Sequence, residues 1–318
     1  MAKRDAILAV DVGGTKTALV VSPLVHSARA PITPSASFAT PKDPQRFIAT
    51  LRDAVASVSG GARIVGVGAG VPGPLDRDRG IVRYSTNLGW RDVPIAALVS
   101  RAFGGVPVSI DDDANAGALG EAAYGSGRGA EPFVFVTLGT GLGSGIVANG
   151  KVVAGHRGAA GEVGHLCAAF DGPRCACGRR GCVEAYVGGL ALERRWRDVG
   201  RSGADAAAIF ALARRGDADA VQVVQQAREA LALAFASLMA AVAPEAIAVA
   251  GTLGLAQKPF VRSAFRLASS AVYPGGRCTL RAGELGADAV LAGAAAIGRA
   301  DRKSTRLNSS HITISYAV

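Results

Sequence analysis

The sequence predicts an α/β protein of two domains, and three observations point to this class. First, two pairs of apolar strands are each joined by a glycine-rich turn, at residues 12–16 and 139–145. Second, segments with helical apolar spacing follow each pair. Third, a chain of 318 residues with 49% hydrophobic content is long enough to bury two cores of ordinary size.

The first half of the chain alternates strands and helices. Residues 6–11 and 17–21 are rich in β-branched and apolar side chains and predict two strands around the first glycine turn. Apolar spacing from Phe47 to Val58 predicts a helix over 44–59. The patterns that follow predict strands at 63–69 and 106–110 and a helix at 114–123.

The second half repeats the opening hairpin and then becomes mainly helical. We expect strands at 133–138 and 146–153, an amphipathic helix over 217–243, a strand at 246–250 and a closing helix over 287–300. The expected domains are a small one at 1–112 plus 286–300 and a large one at 113–285 with a zinc knuckle. Residues 301–318 lack a sustained period and resemble translated vector sequence, which predicts a non-native disordered tail.

Composition argues against nucleic-acid and membrane partners. The net charge is +10, but the arginines are dispersed and aromatic residues make up only 5% of the chain. The longest uncharged apolar stretch, 230–243, is shorter than the roughly 20 residues needed to span a bilayer. No secretory signal pattern opens the sequence. We therefore expect a cytoplasmic protein whose positive charge serves solubility or attracts an anionic substrate.

One imidazole and three thiols lie within eighteen residues: His165, Cys175, Cys177 and Cys182. Four such ligands complete a tetrahedral zinc site, and Gly178 and Gly181 allow the tight turns that bring the sulfurs together. The alternative is a set of free or disulfide-paired cysteines. Cys167 and Cys278 lie outside this spacing, and we expect both to be plain buried thiols.

The two glycine turns are candidate phosphate-binding sites. Backbone N–H groups of the first turn, Gly13, Gly14, Thr15 and Lys16, can approach an anion closely because glycine lacks a Cβ atom. A tight hairpin needs glycine anyway, so one turn alone is weak evidence. The second turn, with Gly139, Thr140 and Gly141, makes a nucleotide the better interpretation. Asp11 is a candidate for holding Mg²⁺ through water.

Polar residues elsewhere in the chain suggest a site for a substrate whose hydroxyl attacks the phosphoryl group. Asp113 follows an apolar strand, where it could take the proton of an attacking hydroxyl; alternatively, the aspartates at 111–113 cap the following helix. Because crowded carboxylates repel, at least one of the three needs another partner. Asn87, Glu162, His165 and Glu184 offer the donors and acceptors that grip sugar hydroxyls, although scattered polar residues are also ordinary surface.

These motifs resemble the ROK family of bacterial sugar kinases and repressors over roughly residues 5–300. The two glycine turns resemble the family's phosphate motifs, residues 110–121 the segment of its catalytic aspartate, and 161–165 and 175–184 its sugar and zinc segments. The resemblance implies an actin-like, ribonuclease-H-like fold, with two α/β domains around a cleft that closes over Mg-ATP and a sugar. Asp113 would be the base. His165 would use one nitrogen for structural zinc and the other for sugar, and a homodimer or homotetramer is implied.

Two departures from the family pattern matter. Asp112 stands where the family usually has asparagine, which replaces a possible donor to the sugar with an acceptor-only carboxylate. The turn that meets the adenosine in the family begins here at Gly251, and its sequence over 251–254 is poorer in consecutive glycines. The first departure bears on sugar preference, and the second either lowers nucleotide affinity or changes the packing of the loop.

The function we expect is that of an ATP-dependent, glucokinase-like enzyme that phosphorylates the 6-hydroxyl of an aldohexose. The closest alternative is an N-acetylmannosamine or N-acetylglucosamine kinase, and polyphosphate remains open as a donor. A transcriptional repressor of this family adds a DNA-binding module ahead of the core; with ten residues before Asp11 we expect no such module, barring an N-terminal truncation. The third alternative is a sugar-binding protein without catalysis.

Overall fold

The structure, a computed structural model, describes residues 4–24, 34–273, 275–276 and 278–310, with the backbone alone described from 301 onward. Contacts divide the chain into two compact units. Unit 1 comprises Met1–Tyr124, Ala154–Gly158 and Ala287–Val318, and unit 2 comprises Gly125–Val153 and Ala159–Gly286. Each unit has a five-stranded sheet and its own hydrophobic core. The α/β class predicted from the sequence is confirmed.

Unit 1 is built on a sheet with the strand order β3-β2-β1-β4-β8 and a second, three-stranded sheet, β5-β6-β7. Its strands are β1 (Asp5–Val12), β2 (Lys16–Pro23), β3 (Ala36–Ala39), β4 (Arg63–Gly70), β5 (Leu75–Asp76), β6 (Ile81–Ser85), β7 (Trp90–Val93) and β8 (Val108–Asp111). Its helices are α1 (Pro44–Val58), α2 (Ile95–Ala102), α3 (Asp113–Tyr124) and, from the end of the chain, α10 (Ala289–Ser310).

The register of the parallel strands brings polar groups together at one sheet edge. β1 pairs in parallel with β4, and β4 with β8, so that Asp11, Gly70 and Asp111 are neighbours. Because all three strands run in the same direction, the residues that follow them meet at the same edge. This arrangement places the end of β1 beside the aspartates that follow β8.

Helices α3 and α10 pack through small residues. A Cβ atom at Gly120 would lie 2.1 Å from the Ala289 carbonyl oxygen, and one at Gly293 would lie 1.7 Å from that of Ala116. Both positions therefore need glycine for the two backbones to approach so closely. This packing places α3 in unit 1, whereas the sequence predicted a domain boundary at 112/113. Contacts with a helix so distant in the sequence leave no signal in local spacing, which explains the difference.

Unit 2 has the strand order β11-β10-β9-β12-β13. Its strands are β9 (Phe133–Leu138), β10 (Leu142–Ala148), β11 (Lys151–Val152), β12 (Ala246–Ala250) and β13 (Thr279–Ala282). Its helices are α4 (Glu184–Val187), α5 (Gly189–Asp198), α6 (Ala206–Arg214), α7 (Ala218–Val242), α8 (Thr252–Ala256) and α9 (Lys258–Ala271). In both units the first strand pairs antiparallel with the next and parallel with a later one. The repeated hairpin predicted from the sequence is confirmed.

The second hairpin differs in detail from the prediction of one strand over 146–153. β10 begins at Leu142, and Gly143 and Gly145 belong to the strand, paired with Thr137 and Phe135. The strand ends where Asn149 and Gly150 both adopt positive φ angles, a conformation suited to a tight two-residue turn. The second glycine turn is consequently shorter than its glycine content suggests.

Helix α7 is the long amphipathic helix predicted at 217–243. Asp217 caps it by accepting the Ala220 N–H at 3.0 Å, and Ala243, in the left-handed region, ends it before Pro244. No helix in the described part of the chain is long and apolar enough to cross a membrane.

Helix α10 runs to Ser310, whereas the sequence predicted its end at residue 300. Residues 301–310 of the expected tail thus continue the helix, because arginine, lysine and leucine there are compatible with helical backbone. Residues 311–318 of the same expected tail lie outside the described residues.

Candidate active site and metal centre

Two of the three aspartates at 111–113 are engaged within unit 1. Asp111 is 1% exposed; its Oδ2 lies 2.5 Å from Nη2 of Arg77, and its Oδ1 accepts the side-chain amide of Asn115 at 3.0 Å. Asp112 accepts the backbone N–H of Asn115 at 2.8 Å and also its side-chain amide. Asp112 therefore caps α3, which confirms the capping interpretation for this one residue.

Asp113 is the aspartate of this group that is exposed to solvent. Its Oδ1 accepts the backbone N–H of Ala114 at 2.9 Å. Partial desolvation by the surrounding protein nevertheless raises the pKa of the Asp113 carboxyl, while that hydrogen bond opposes the rise. A carboxylate whose pKa is closer to neutrality is a better proton acceptor, and solvent access leaves room for a hydroxyl. Asp113 can thus act as a general base.

Asp11 lies partly buried at the end of β1, near two other carboxylates. Burial raises the pKa of its carboxyl to about 6, and the negative charges of Asp113 and Asp288 contribute to the rise. Asp288, in a 3₁₀ turn at Gly286–Asp288, was missed by the sequence analysis because an isolated aspartate carries no motif. A cation would relieve this repulsion, and carboxylate oxygens suit Mg²⁺ with part of its hydration shell retained. The donors around Asp11 therefore fit magnesium.

The first glycine turn joins β1 to β2. The Gly13 N–H donates to the Lys16 carbonyl at 3.0 Å, and the Thr40 hydroxyl donates to the Gly13 carbonyl at 2.7 Å. Thr15 and Lys16 are exposed. These hydrogen bonds fix the backbone of the turn at Gly13, and the exposed Thr15 and Lys16 are accessible to a ligand.

Asn87 lies against this same turn, in the loop between β6 and β7. A Cβ atom at Gly14 would lie only 2.8 Å from that of Asn87, so the missing side chain permits the contact. Lys42, a residue that the sequence analysis did not select, donates from Nζ to the Gly14 carbonyl at 2.6 Å and also to the Asn87 carbonyl. The structure thus brings together one predicted phosphate residue and one predicted sugar residue.

The four predicted zinc ligands converge in unit 2. One ligand atom from each of His165, Cys175, Cys177 and Cys182 lies within 4.8 Å of the others. Cys177 and Cys182 sulfurs are 3.7 Å apart, and the Cys175 sulfur is 3.8 Å from Nδ1 of His165. A disulfide would need about 2.05 Å. Zn–S bonds of about 2.3 Å in a tetrahedron separate two sulfurs by about 3.8 Å, so these residues fit zinc.

His165 faces two ways. Its Nδ1 is directed at the thiol cluster, and its Nε2 lies 3.9 Å from Oε2 of Glu162. The second glutamate, Glu184, accepts the backbone N–H of Leu142 at 3.1 Å, while its other oxygen lies 3.7 Å from the Cys175 sulfur. Glu184 therefore connects the metal centre with the second glycine turn.

Gly251 precedes α8 and determines how the chain enters that helix, next to the second glycine turn. Its φ of +83° is in the left-handed region, and a Cβ atom there would lie 2.3 Å from the Leu138 carbonyl oxygen. The backbone N–H groups of Gly189 and Leu190 donate to the carbonyls of Gly139 and Thr140. The second glycine turn is thereby fixed between α5 and α8.

A cavity of about 310 Å³ opens at this turn. Gly139 and Thr140, two of the predicted nucleotide-binding residues, line it, whereas the predicted Gly141 and Gly251 are not among its lining residues. Glu193, Asp205 and Gln257 supply polar groups to its wall and were missed by the sequence analysis, because single polar residues without a motif carry no distinguishing signal. The size and the mixed lining suit a small polar ligand with an apolar ring.

The sequence is similar to those of known proteins. A family model described as ROK family matches residues 7–301. A glucokinase from Thermotoga maritima is 35% identical over 224 residues, which cover 66% of this chain and 70% of the relative. A xylose repressor from Bacillus subtilis is 39% identical over 129 residues, covering 41% of this chain and 33% of the repressor.

Two solved structures cover almost the whole chain. A ROK hexokinase from Thermus thermophilus has a TM-score of 0.84 and 34% identity over 94% of this chain and 99% of that one. A ROK family glucokinase from Streptomyces griseus, in complex with glucose and AMPPNP, has a TM-score of 0.73 and 31% identity over 93% of this chain and 99% of that one. The actin-like ATPase fold expected from the sequence is confirmed.

Proposed function

The chain belongs to the ROK family, and we propose that within this family it is an ATP-dependent kinase of aldohexoses, with glucose phosphorylated at its 6-hydroxyl. The observation that carries the proposal is the solvent-accessible, pKa-raised carboxyl of Asp113 at the sheet edge shared with Asp11. Similarity to a glucokinase and to a ROK hexokinase supports the sugar class.

The proposed reaction is an in-line phosphoryl transfer. Asp113 accepts the proton of the sugar hydroxyl while the oxygen attacks the γ-phosphorus and ADP leaves. Asp11 is the proposed holder of hydrated magnesium, which would neutralise phosphate charge when bound with ATP. The cavity at Gly139 and Thr140 is the proposed place of the nucleoside.

The sugar-binding role is proposed for the polar residues that the sequence analysis selected. We propose that Asn87, Asp112, Glu162, His165 and Glu184 contact the sugar hydroxyls, together with Asp113. The distance of 3.9 Å between Nε2 of His165 and Oε2 of Glu162 supports a shared ligand, since the other ring nitrogen of His165 is the one near Cys175. Structural zinc on the cluster would orient His165, so that metal loss disorders the sugar site. A homodimer or homotetramer remains a prediction of the family resemblance, to be checked by light scattering.

The test is the variant Asp113→Asn, assayed by coupled ADP release with Mg-ATP and a panel of glucose, mannose, fructose, N-acetylglucosamine and N-acetylmannosamine. A general base contributes about 10²–10⁴-fold, so kcat should fall by at least about 100-fold. Since desolvation disfavours the charged carboxylate, asparagine should leave the thermal midpoint unchanged or raise it. Asp53→Asn, an exposed change on α1, is the matched control.

Each outcome has a defined meaning. Turnover on one sugar that is lost in Asp113→Asn and kept in Asp53→Asn supports both the activity and the base. Full activity of Asp113→Asn rejects Asp113 as the base. Calorimetric binding of a sugar by wild-type protein, with no turnover on the panel, favours a sugar-binding regulator over a kinase.

A further inference from the structure

Lys42 occupies an unusual position between two turns of unit 1. It follows β3 and precedes α1, and its ammonium reaches the carbonyl of Gly14 at 2.6 Å and the carbonyl of Asn87. Among the described residues, no carboxylate forms an ion pair with it. Both of its hydrogen bonds are therefore made to turns rather than to another charged side chain.

The two turns are otherwise separate in the sequence and in the sheet. The first joins β1 to β2 in the five-stranded sheet, and the second joins β6 to β7 in the three-stranded sheet. Between Gly14 and Asn87 there is close contact, since a Cβ atom at Gly14 would lie 2.8 Å from the Asn87 Cβ and 3.2 Å from its carbonyl oxygen. Two backbone carbonyls that face each other repel unless a donor lies between them, and the ammonium is such a donor.

The backbone of Lys42 is itself fixed. The indole Nε1 of Trp90, a residue 1% exposed at the start of β7, donates to the Lys42 carbonyl at 2.8 Å. The Thr40 N–H donates to the Thr15 carbonyl at 3.0 Å, and Asp43 caps α1 immediately after Lys42. The ammonium thus extends from a rigid segment, which makes it able to position both turns.

We propose that Lys42 is a positioning residue that holds Asn87 against the first glycine turn, and so orients Asn87 toward the acceptor sugar while keeping that turn in its phosphate-binding form. This inference rests on the proposed function, because the roles of Asn87 and of the turn come from it. Lys42 contacts neither reactant; it acts through the two backbone carbonyls that it binds.

The variant Lys42→Met keeps the aliphatic chain and removes the donors. It should raise KM for glucose by about tenfold, equivalent to about 1.4 kcal/mol, while kcat changes by less than about threefold. The base Asp113 is the first residue of α3 and takes part in neither hydrogen bond of Lys42, which is why KM rather than kcat responds. Lys42→Arg retains a cationic donor, so its KM for glucose should lie between those of Lys42→Met and the wild type. Lys151→Met, an exposed lysine on β11, is the matched control and should behave as wild type.

Amide hydrogen exchange supplies a readout that does not depend on turnover. In Lys42→Met, exchange should quicken in peptides that contain residues 13–16 and 86–89, and not in peptides of α1 or α2. A raised KM together with faster amide exchange in both turns supports the proposal. Wild-type values in both experiments overturn it, as does a loss of kcat and thermal stability with KM unchanged, which would show a merely structural role.

The proposed function can fail separately. Wild-type protein that turns over no sugar of the panel rejects the kinase, and with it the sugar-orienting role of Lys42. A wild-type enzyme that is active, with Lys42→Met equal to Lys151→Met, rejects only the role of Lys42.

Discussion

The variant Gly141→Ala tests how the second glycine turn depends on Glu184. A Cβ atom at Gly141 would lie 2.5 Å from Oε2 and 3.2 Å from Cδ of Glu184. The carboxylate is the flexible end of its side chain, so it can retreat. In retreating it gives up the Leu142 N–H, which it accepts at 3.1 Å in the native structure. The change therefore removes one charge-assisted hydrogen bond rather than creating a large clash.

The same turn offers a matched control. A Cβ atom at Gly139 would meet only Thr252, with its hydroxyl at 3.6 Å and its backbone nitrogen at 4.0 Å, which are ordinary contacts. A glycine-to-alanine change reduces the conformational entropy of the unfolded chain and thereby stabilises the protein by about 0.4–1 kcal/mol. This contribution is similar in the two variants and cancels when their stabilities are compared. Hydrogen bonds to charged groups contribute about 1.5–3 kcal/mol, and partial solvent access of Glu184 lowers this value. Gly141→Ala should accordingly be less stable than Gly139→Ala by about 1–2 kcal/mol.

Urea denaturation at pH 7 measures the difference, with equal m-values required for the comparison. Kinetics should separate the variants as well. Gly141→Ala moves Glu184, a proposed sugar contact, and should raise KM for the sugar. Gly139→Ala adds a methyl group to the wall of the cavity and should raise KM for ATP. Equal stabilities, or the same KM raised in both variants, would refute this account of Glu184.

Three further predictions concern single side chains. Burial raises the pKa of Asp11 to about 6, so ionisation of its carboxyl lowers the stability of the folded protein. This loss of stability is absent below pH 3.8, where the carboxyl is protonated in both states, and complete above pH 6. Metal-free Asp11→Asn should thus be more stable than wild type by about 1–3 kcal/mol at pH 8 and equal to it near pH 3.5 in urea titrations. Cys175→Ser should lower zinc below one ion per chain in elemental analysis and lower the thermal midpoint, whereas Cys278→Ser, remote from the cluster, should retain zinc. Asp112→Asn should keep the helix cap, since both residues cap well, but shift sugar KM values across the panel.

Patterns local in sequence predicted much of the fold. The helix at Ala218–Val242 and the strand at Ala246–Ala250 have periodicity and boundaries that a single segment displays. The metal cluster was predictable for the same reason, since three cysteines within eight residues can converge without knowledge of the remaining chain. In such cases the physical determinants lie within the segment itself.

Other features depend on contacts between distant segments. The place of α3 in unit 1 follows from backbone contacts at Gly120 and Gly293, which no spacing in either helix reveals. Lys42 and Asp288 are single charged residues without a motif, and their importance lies in what the fold places beside them. The sequence could show which turns are rich in glycine, but not which side chains hold those turns.

The two glycine turns illustrate this limit most clearly. Each joins an antiparallel pair whose first strand also has a parallel partner, so the backbone frames are alike. Their charged supports are opposite: a cation, Lys42, binds a carbonyl of the first turn, and an anion, Glu184, binds the N–H that follows the second. Phosphate is favoured beside the cation and disfavoured beside the carboxylate. The two turns therefore differ electrostatically although both are rich in glycine. Glycine content alone does not show which of them binds phosphate more strongly.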